Sequence, residues 1–246
     1  MPYFESSRLK IKWANQHILD VQRLVSALPD LYEATVEINP VAGNPVIKHD
    51  LRDRTERMNK LALLIGDAVH NLKCALDYAW IETLSLRAPS LLTDFSKFPI
   101  YPDGDSLKGA LVGREIDTTF GALYKLLISE IQPYSGANDA IYALHYLNIR
   151  DKHKLLTPIV EFAAIEGIEL ENERGEVEKI GTWASSQKPP YYVPIETGWH
   201  IKNKGHVVVE ILFEEGTPLY DLEIIDTLQL YSRSTLQVIE CLETIL

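Results

Sequence analysis

Apolar residues recur every three or four positions in several long stretches of the chain, and this spacing predicts helices with one buried face. Pro29 ends the first stretch, Thr55 caps the start of the second, and Pro158 limits the fourth. Residues 88–116 lack such a period and are expected to be irregular. The predicted helices are residues 7–28, 55 to about 85, about 118–132, about 138–156 and 219–246.

β-branched and aromatic residues concentrate in the remaining segments. Residues 32–52 predict a hairpin around the sequence NPVAGNP, and residues 157–214 contain short strand-like runs separated by glycine. Within the second segment, GWHIKNKGHVVVEILFEEG predicts another hairpin that turns at NKG, with His200 and His206 exposed in the loop beside the turn.

Helices and strands are segregated along the chain instead of alternating, which predicts an α+β fold. We expect a bundle of about five helices packed with an antiparallel sheet. If the early hairpin joins the later strands in one sheet, residues 1–246 form a single domain. Its helical part is then mainly 7–28, 55–156 and 219–246, and its sheet mainly 32–52 and 157–214.

Composition narrows the classes of partner. The 246 residues are 46% hydrophobic and 24% charged, as in soluble globular proteins, and the formal net charge is −11. Such an acidic surface repels phosphate backbones, so a nucleic-acid partner is disfavoured. The longest apolar run, residues 61–84, carries too many ionisable side chains for a membrane span, so no membrane partner is expected. These side chains are Asp67, His70, Lys73, Asp77 and Glu82.

The two cysteines, Cys74 and Cys241, lie far apart in predicted helices, which suits free thiols in a reducing cytoplasm. The first residues, MPYFESSRLKIKW, lack the apolar middle of a signal peptide, and a cytoplasmic location is expected. Cys74 lies within a helix instead of at a helix N-terminus, which makes it a poor nucleophile candidate. No metal-binding or phosphate-binding motif is present, so no metal is expected and the cofactor stays unknown.

Two predicted helices carry polar residues where apolar ones are expected. In the fourth helix, His145, Asn148 and Lys152 share the inward stripe with leucine and isoleucine, and Asp151 lies at its edge. His153 belongs to a basic run that complements the carbonyl end of the helix.

The second helix has a matching stripe that contains Asp67, His70, Cys74 and Asp77, between two apolar faces. Buried charges need partners, because an unpaired charge in a core is very costly. We therefore expect the two stripes to face each other. Asp77 or Asp67 would pair with Lys152, and a histidine would bond Asn148 or a carboxylate.

Three separated segments, IGDAVHNLKCALDYAW, FPIY and LNIRDKHKLL, together resemble a group of uncharacterised bacterial proteins. The resemblance spans about residues 60–156. It implies a bacterial origin and no particular activity. Lys73 and Lys154 stand where the group has arginine, which puts a bidentate guanidinium role there in doubt. The signature positions that it implies are His70, Asn71, Asp77, Asn148, Asp151, Lys152 and His153.

A looser resemblance is to HEPN ribonucleases, helical proteins that use an arginine and a nearby histidine at a dimer interface. Here Arg150 and His153 are separated by two residues only, which departs from the HEPN spacing. The last helix has an apolar stripe that suits core packing or a seam between two copies, so a homo-oligomer is one option.

Two functions stay open for the cluster of His70, Asp77, His145, Asn148, Asp151, Lys152 and His153. The favoured one is a module that binds a ligand or a partner, in which the cluster is largely a structural polar network. The alternative is a hydrolytic enzyme, including a divergent helical ribonuclease, in which a histidine performs acid–base chemistry. An open pocket with a shifted histidine pKa would favour the enzyme, and a sealed, fully paired cluster would favour a structural role.

Overall fold

The computed structural model describes residues 3–38, 45–94, 96–156, 158–183, 191–196, 198–213 and 222–246. It confirms the α+β fold class, with seven α-helices and two antiparallel three-stranded sheets in this part of the chain. The α-helices are α1 Glu5–Ala27, α2 Arg54–Arg87, α3 Gly104–Val112, α4 Ile116–Thr119, α5 Gly121–Leu126, α6 Asp139–Asp151 and α7 Ile224–Glu243.

Four predicted helices correspond to α1, α2, α6 and α7, although α6 ends at Asp151, before the predicted Leu156. The expectation of irregular structure over 88–116 was wrong for α3. This helix begins because the Asp103 carboxylate accepts a hydrogen bond from the Ser106 N–H at 2.7 Å. The predicted third helix is divided into α4, α5 and a short π-helix at Leu127–Ile131.

The chain groups into two compact units. The helical unit comprises Met1–Val21, Ala62–Leu156 and Ile225–Leu246, and the sheet unit comprises Gln22–Leu61 and Thr157–Ile224. Each unit is assembled from segments that are distant in sequence. The single domain over 1–246 stays a prediction.

Polar contacts tie α1 to its neighbours within the helical unit. The Phe4 N–H donates to Glu82 of α2 at 2.8 Å, and Arg8 forms an ion pair with Glu243 of α7 at 2.7 Å. Leu228, Ile239 and Leu242 of the apolar stripe of α7 are buried within the chain itself, which favours the core alternative for these residues. None of the described helices combines the length and the hydrophobicity that a membrane-spanning segment requires.

The sheet unit contains strands β1 Tyr32–Ile38, β2 Pro45–Leu51, β3 Pro158–Asn172, β4 Val177–Trp183, β5 Tyr191–Pro194 and β6 Trp199–Phe213. One sheet has the order β1-β2-β5 and the other β4-β3-β6. The two strands of the predicted early hairpin, β1 and β2, are antiparallel neighbours, and β2 also pairs with the later strand β5. The predicted turn between them lies outside the described residues. The case in which the hairpin joins the later strands in one sheet therefore holds for β5, whereas β3, β4 and β6 form the second sheet.

The predicted hairpin turn at NKG was also wrong, because β6 continues through it as one strand beside β3. Gly205 has φ +72° and stands opposite Gly167, which also has φ +72°. Glycine adopts this left-handed backbone without a steric penalty, so both strands can continue through these positions. His200 and His206 are exposed as predicted, but they lie on the strand and face Glu171 and Glu166.

Candidate functional site

A cavity of about 230 Å³ lies between α2, α6 and the loop that contains Phe98, all within the helical unit. The predicted juxtaposition of the two polar stripes is therefore present. Each helix contributes residues at positions i, i+3, i+4 and i+7, which share one face of a helix. The cavity is lined by His70, Lys73, Cys74 and Asp77 of α2, Lys97 and Phe98 of the loop, and His145, Asn148, Ile149 and Lys152 of α6 and its C-terminal cap.

The position of α6 is fixed by its cap and its apolar face. The Asn138 side chain accepts a hydrogen bond from the Ile141 N–H at 3.3 Å, which satisfies one of the free donors at the helix start. Ile141, Leu144 and Leu147 are fully buried. These anchors hold Asn148, which is itself buried, at the cavity wall.

His70 connects the two helices. Its Nδ1 lies 3.3 Å from Asn148 Oδ1, and its Nε2 lies 3.4 Å from Cys74 Sγ. Since an amide oxygen only accepts, Nδ1 carries the ring proton and donates to Asn148. The other ring nitrogen, Nε2, is then free to accept the thiol proton of Cys74. The three side chains form a continuous hydrogen-bonded series at the cavity.

Lys73 and Asp77 form an ion pair along α2 at spacing i, i+4. Lys73 is buried, and burial lowers the pKa of its ammonium group, while the charge of Asp77 and its hydrogen bond raise it. Asp77 Oδ1 also accepts a hydrogen bond from the Phe98 N–H at 2.9 Å. Asp77 therefore holds the buried cation and anchors the loop to α2.

The predicted ion pair of Asp77, or of Asp67, with Lys152 was wrong. Asp77 and Lys152 do line the same cavity, but within the described part of the chain no ion pair joins Lys152 to either carboxylate. The physical reason is proximity: Lys73 lies one turn before Asp77 on the same helix and takes its carboxylate. Lys152 follows the last residue of α6 and is exposed.

His145 sits in a cationic environment. Burial lowers the pKa of its imidazole, Lys73, Lys152 and Lys97 lower it further, and Asp77 opposes them. The imidazole is therefore neutral at pH 7. Its Nδ1 is buried and has no hydrogen-bond partner among the residues that the structure describes.

Cys74 is a protonated thiol at neutral pH. Burial raises the pKa of this thiol, and the negative charge of Asp77 raises it further. The positive charges nearby lower the same pKa; Lys10 has the largest such effect, and Lys73 and Lys152 have smaller ones. The cations nevertheless stand close enough to the sulfur to stabilise negative charge that develops there.

Two predicted site residues lie outside the cavity lining. An added Cβ at Gly66 would lie only 2.5 Å from Asp151 Oδ1, so this carboxylate packs directly against α2. Burial raises the pKa of the Asp151 carboxyl group, and the nearby Asp67 raises it further, whereas His70 lowers it. His153 is exposed beyond the end of α6. The cavity thus gathers His70, Asp77, His145, Asn148 and Lys152, but neither Asp151 nor His153.

Sequence reasoning missed part of the site. Cys74 was rejected for its position within a helix, although it lies four residues after His70 and thus on the same face. Lys97 and Phe98 lie in a loop without any period, and only the Phe-Pro-Ile signature pointed to that segment. The three signature segments converge on the cavity through the Asp77–Phe98 and His70–Asn148 hydrogen bonds.

Comparison with protein-family models, with curated proteins and with solved structures finds no match for this chain. Among the described residues, no group of three or more His, Cys, Asp and Glu side chains is placed to hold a metal ion.

Proposed function

We propose that the chain is a binding module that takes a small anionic ligand, a carboxylate or a phosphate, into this cavity. The observation that carries the proposal is the charge of the lining. Lys73, Lys97 and Lys152 face a single carboxylate, Asp77, in a chain whose formal net charge is −11. A local excess of cations in an acidic protein attracts an anion.

The carboxylate of Asp77 is already engaged. It pairs with Lys73 and accepts the Phe98 N–H, so it neutralises the buried cation. Lys97 and Lys152 are exposed and border the cavity, where their ammonium groups can turn toward a ligand. The Nδ1 atom of His145 adds a buried polar group without a partner in the described part of the chain.

The cavity volume limits the size of the ligand. About 230 Å³ is below the range of roughly 300–1,000 Å³ that is typical of sites for drug-sized molecules. It corresponds to about eight water molecules at roughly 30 Å³ each. A dicarboxylate of a few carbons or a small phosphate ester fits this space.

Isothermal titration calorimetry with succinate and with inorganic phosphate tests the proposal and separates the two sources of anion. We expect Lys97→Met and Lys152→Met each to weaken binding about fivefold, as removal of an exposed charge does. Lys108→Met is the matched control, because Lys108 is an exposed lysine of α3 that pairs with Asp105 and lies outside the lining.

Absence of binding heat for both anions up to about 10 mM would overturn the proposal, and so would equal affinities in all three variants.

Higher ionic strength is expected to weaken binding of either anion, because salt screens the exposed lysines.

The alternative function, a hydrolytic enzyme, is favoured by a specific observation. The cavity opens to solvent at the exposed His70, and the pKa of His145 is lowered. These are the features that distinguish an enzyme from a sealed structural network. Both functions require that a ligand enters the cavity. For the chain as a whole we propose a cytoplasmic location, which the two free thiols support.

A further inference from the structure

We propose that Cys74, His70 and Asn148 act as nucleophile, general base and positioning residue in acyl transfer from a small anionic ester or thioester. The proposal goes beyond ligand binding, and it rests on the proposed anion site for recognition of the substrate.

The geometry matches the roles. Cys74 Sγ is 3.4 Å from His70 Nε2, and His70 Nδ1 is 3.3 Å from Asn148 Oδ1. A nucleophile within reach of a base that is itself oriented by a third group is the arrangement that covalent catalysis requires. All three side chains line the cavity, so a bound ligand can reach the sulfur.

The two reacting groups are held by one helix. His70 and Cys74 lie one turn apart on α2, which fixes their separation. Asn148 comes from α6 and is buried, so its amide holds the imidazole plane from the opposite side of the cavity. The site is thus built from two helices.

The base is needed because the thiol is protonated at rest. Cys74 lies in the interior of α2, away from the positive end of the helix dipole, and burial raises its pKa. Attack therefore requires transfer of the thiol proton. His70 Nε2 is the acceptor within reach.

The reaction balances without any oxidant or reductant. Sγ of Cys74 bonds to the acyl carbon while the thiol proton moves to His70 Nε2. Collapse of the tetrahedral intermediate breaks the bond to the leaving group, which takes the proton from His70 and departs. Water then attacks the thioester, gives its proton to His70, and releases the acid while the thiol regains the proton.

The lysines determine which acyl group is preferred. Lys152 and Lys97 border the cavity that contains the sulfur, so they would hold a second carboxylate or a phosphate of the substrate. A succinyl group has this form, and an acetyl group does not. We therefore expect selection for anionic acyl donors.

The test compares alkylation of Cys74 by iodoacetate, an anion, and by iodoacetamide, its neutral counterpart. The full chain carries Cys241→Ser so that Cys74 is the remaining thiol. Rates are followed by intact-mass spectrometry and divided by the rates of N-acetylcysteine with the same reagents. We expect a higher normalised rate with iodoacetate. Lys152→Gln is expected to lower the iodoacetate rate about fivefold more than the iodoacetamide rate, because the loss of Lys152 also removes a cation that lowers the pKa of Cys74. Lys108→Gln is expected to change neither rate.

The base and the positioning residue are tested in the same assay. His70→Gln is expected to lower the rates with both reagents by at least about tenfold. Asn148→Ala is expected to lower both rates too, whereas Asn148→Asp, which still accepts the Nδ1 proton, is expected to restore them partly. If Asn148 had only a structural role, Asn148→Asp and Asn148→Ala would react at the same rate whenever their thermal stabilities are equal.

An acyl substrate completes the test. 4-Nitrophenyl hemisuccinate is expected to leave a succinyl thioester on Cys74 and to turn over faster than 4-nitrophenyl acetate. Cys74→Ala should abolish both the adduct and the turnover while it still binds succinate in calorimetry.

The failures are distinguishable. Normalised rates at or below unity for both reagents, together with no acyl adduct, would overturn the catalytic proposal. Succinate binding to Cys74→Ala would then show that the anion site stands by itself. Equal normalised rates for the two reagents would overturn the selection for anions.

Discussion

Asp77→Asn is the sharpest perturbation of the site, because it removes a charge while it keeps a side-chain oxygen. The oxygen can still accept the Phe98 N–H, so the loop keeps its anchor. The buried Lys73 loses the carboxylate that balances its charge. The variant therefore isolates the electrostatic part of the interaction.

The magnitude follows from the burial of the pair. Removal of one partner of a fully buried ion pair costs about 3–5 kcal/mol. Here the side chain of Lys73 is 6% exposed and that of Asp77 22% exposed, and the pair borders an open cavity. Water reaches one side of the pair, so we expect a loss of about 2 kcal/mol in the free energy of unfolding.

Urea unfolding followed by circular dichroism measures this loss at pH 7. Lys73→Met in the Asp77→Asn background is expected to restore most of the stability, because no charge then remains buried. Asp105→Asn is the matched control, since Asp105 pairs with Lys108 at the surface. Its effect is expected to stay within about 0.5 kcal/mol.

The dependence of stability on pH provides an independent test of the charge on Lys73. Burial lowers the pKa of Lys73 in the folded state below its value of 10.5 in the unfolded chain. Between these two pKa values the unfolded chain binds more protons, so stability rises with pH in that window. Loss of Asp77 removes the two largest interactions that raise the pKa of Lys73, so the window extends to lower pH. The deficit of Asp77→Asn is therefore expected to shrink between pH 7 and pH 10.

A deficit below about 0.5 kcal/mol at pH 7 would refute the role of Asp77 in balancing the charge of Lys73. A deficit that is the same at pH 10 as at pH 7, or a double variant no more stable than Asp77→Asn, would refute it equally.

Three further predictions concern single positions. Gly66→Ala is expected to lack the usual gain of about 1 kcal/mol in the free energy of unfolding for alanine in a helix, because its Cβ would lie 2.5 Å from Asp151 Oδ1. The gain should appear in an Asp151→Ala background, and equal effects in both backgrounds would contradict this. Gly205→Ala is expected to lower the free energy of unfolding in urea by about 2 kcal/mol or more, because φ is +72° and the new Cβ would lie 2.6 Å from a carbonyl oxygen. Gly181→Ala, whose new Cβ would lie in open space, is the control and should cost less. Burial lowers the pKa of the fully enclosed His49 to about 4, so the free energy of unfolding of the wild type should fall by roughly 2–3 kcal/mol from pH 7 to pH 4. A His49→Gln variant with the same dependence of stability on pH would count against the assignment of this loss to His49.

The fold class could be predicted because periodicity is a local property. Apolar spacing located the long helices, and the segregation of strands from helices indicated the α+β class. The hairpin at NKG was predicted wrongly because Gly205 suits either a turn or a continuous strand. The pairing of β6 with the distant strand β3 decides between them, and no local pattern shows that pairing.

The candidate site could be predicted by face but not by pairing. Helical spacing placed His70 and Asn148 on inward stripes, and the structure joins them at 3.3 Å. The partner of Asp77 depends on competition between residues. Lys73 prevails because it lies on the same helix, and the Phe98 N–H comes from a loop that no periodicity places.

The one-turn spacing of His70 and Cys74 has a consequence for engineering. Because a single helix holds the imidazole and the sulfur together, a short peptide segment encodes their separation. The pair could be grafted onto an unrelated helix, with an amide from any neighbouring element replacing Asn148. A scaffold of this kind would show how much reactivity two side chains retain outside their native surroundings.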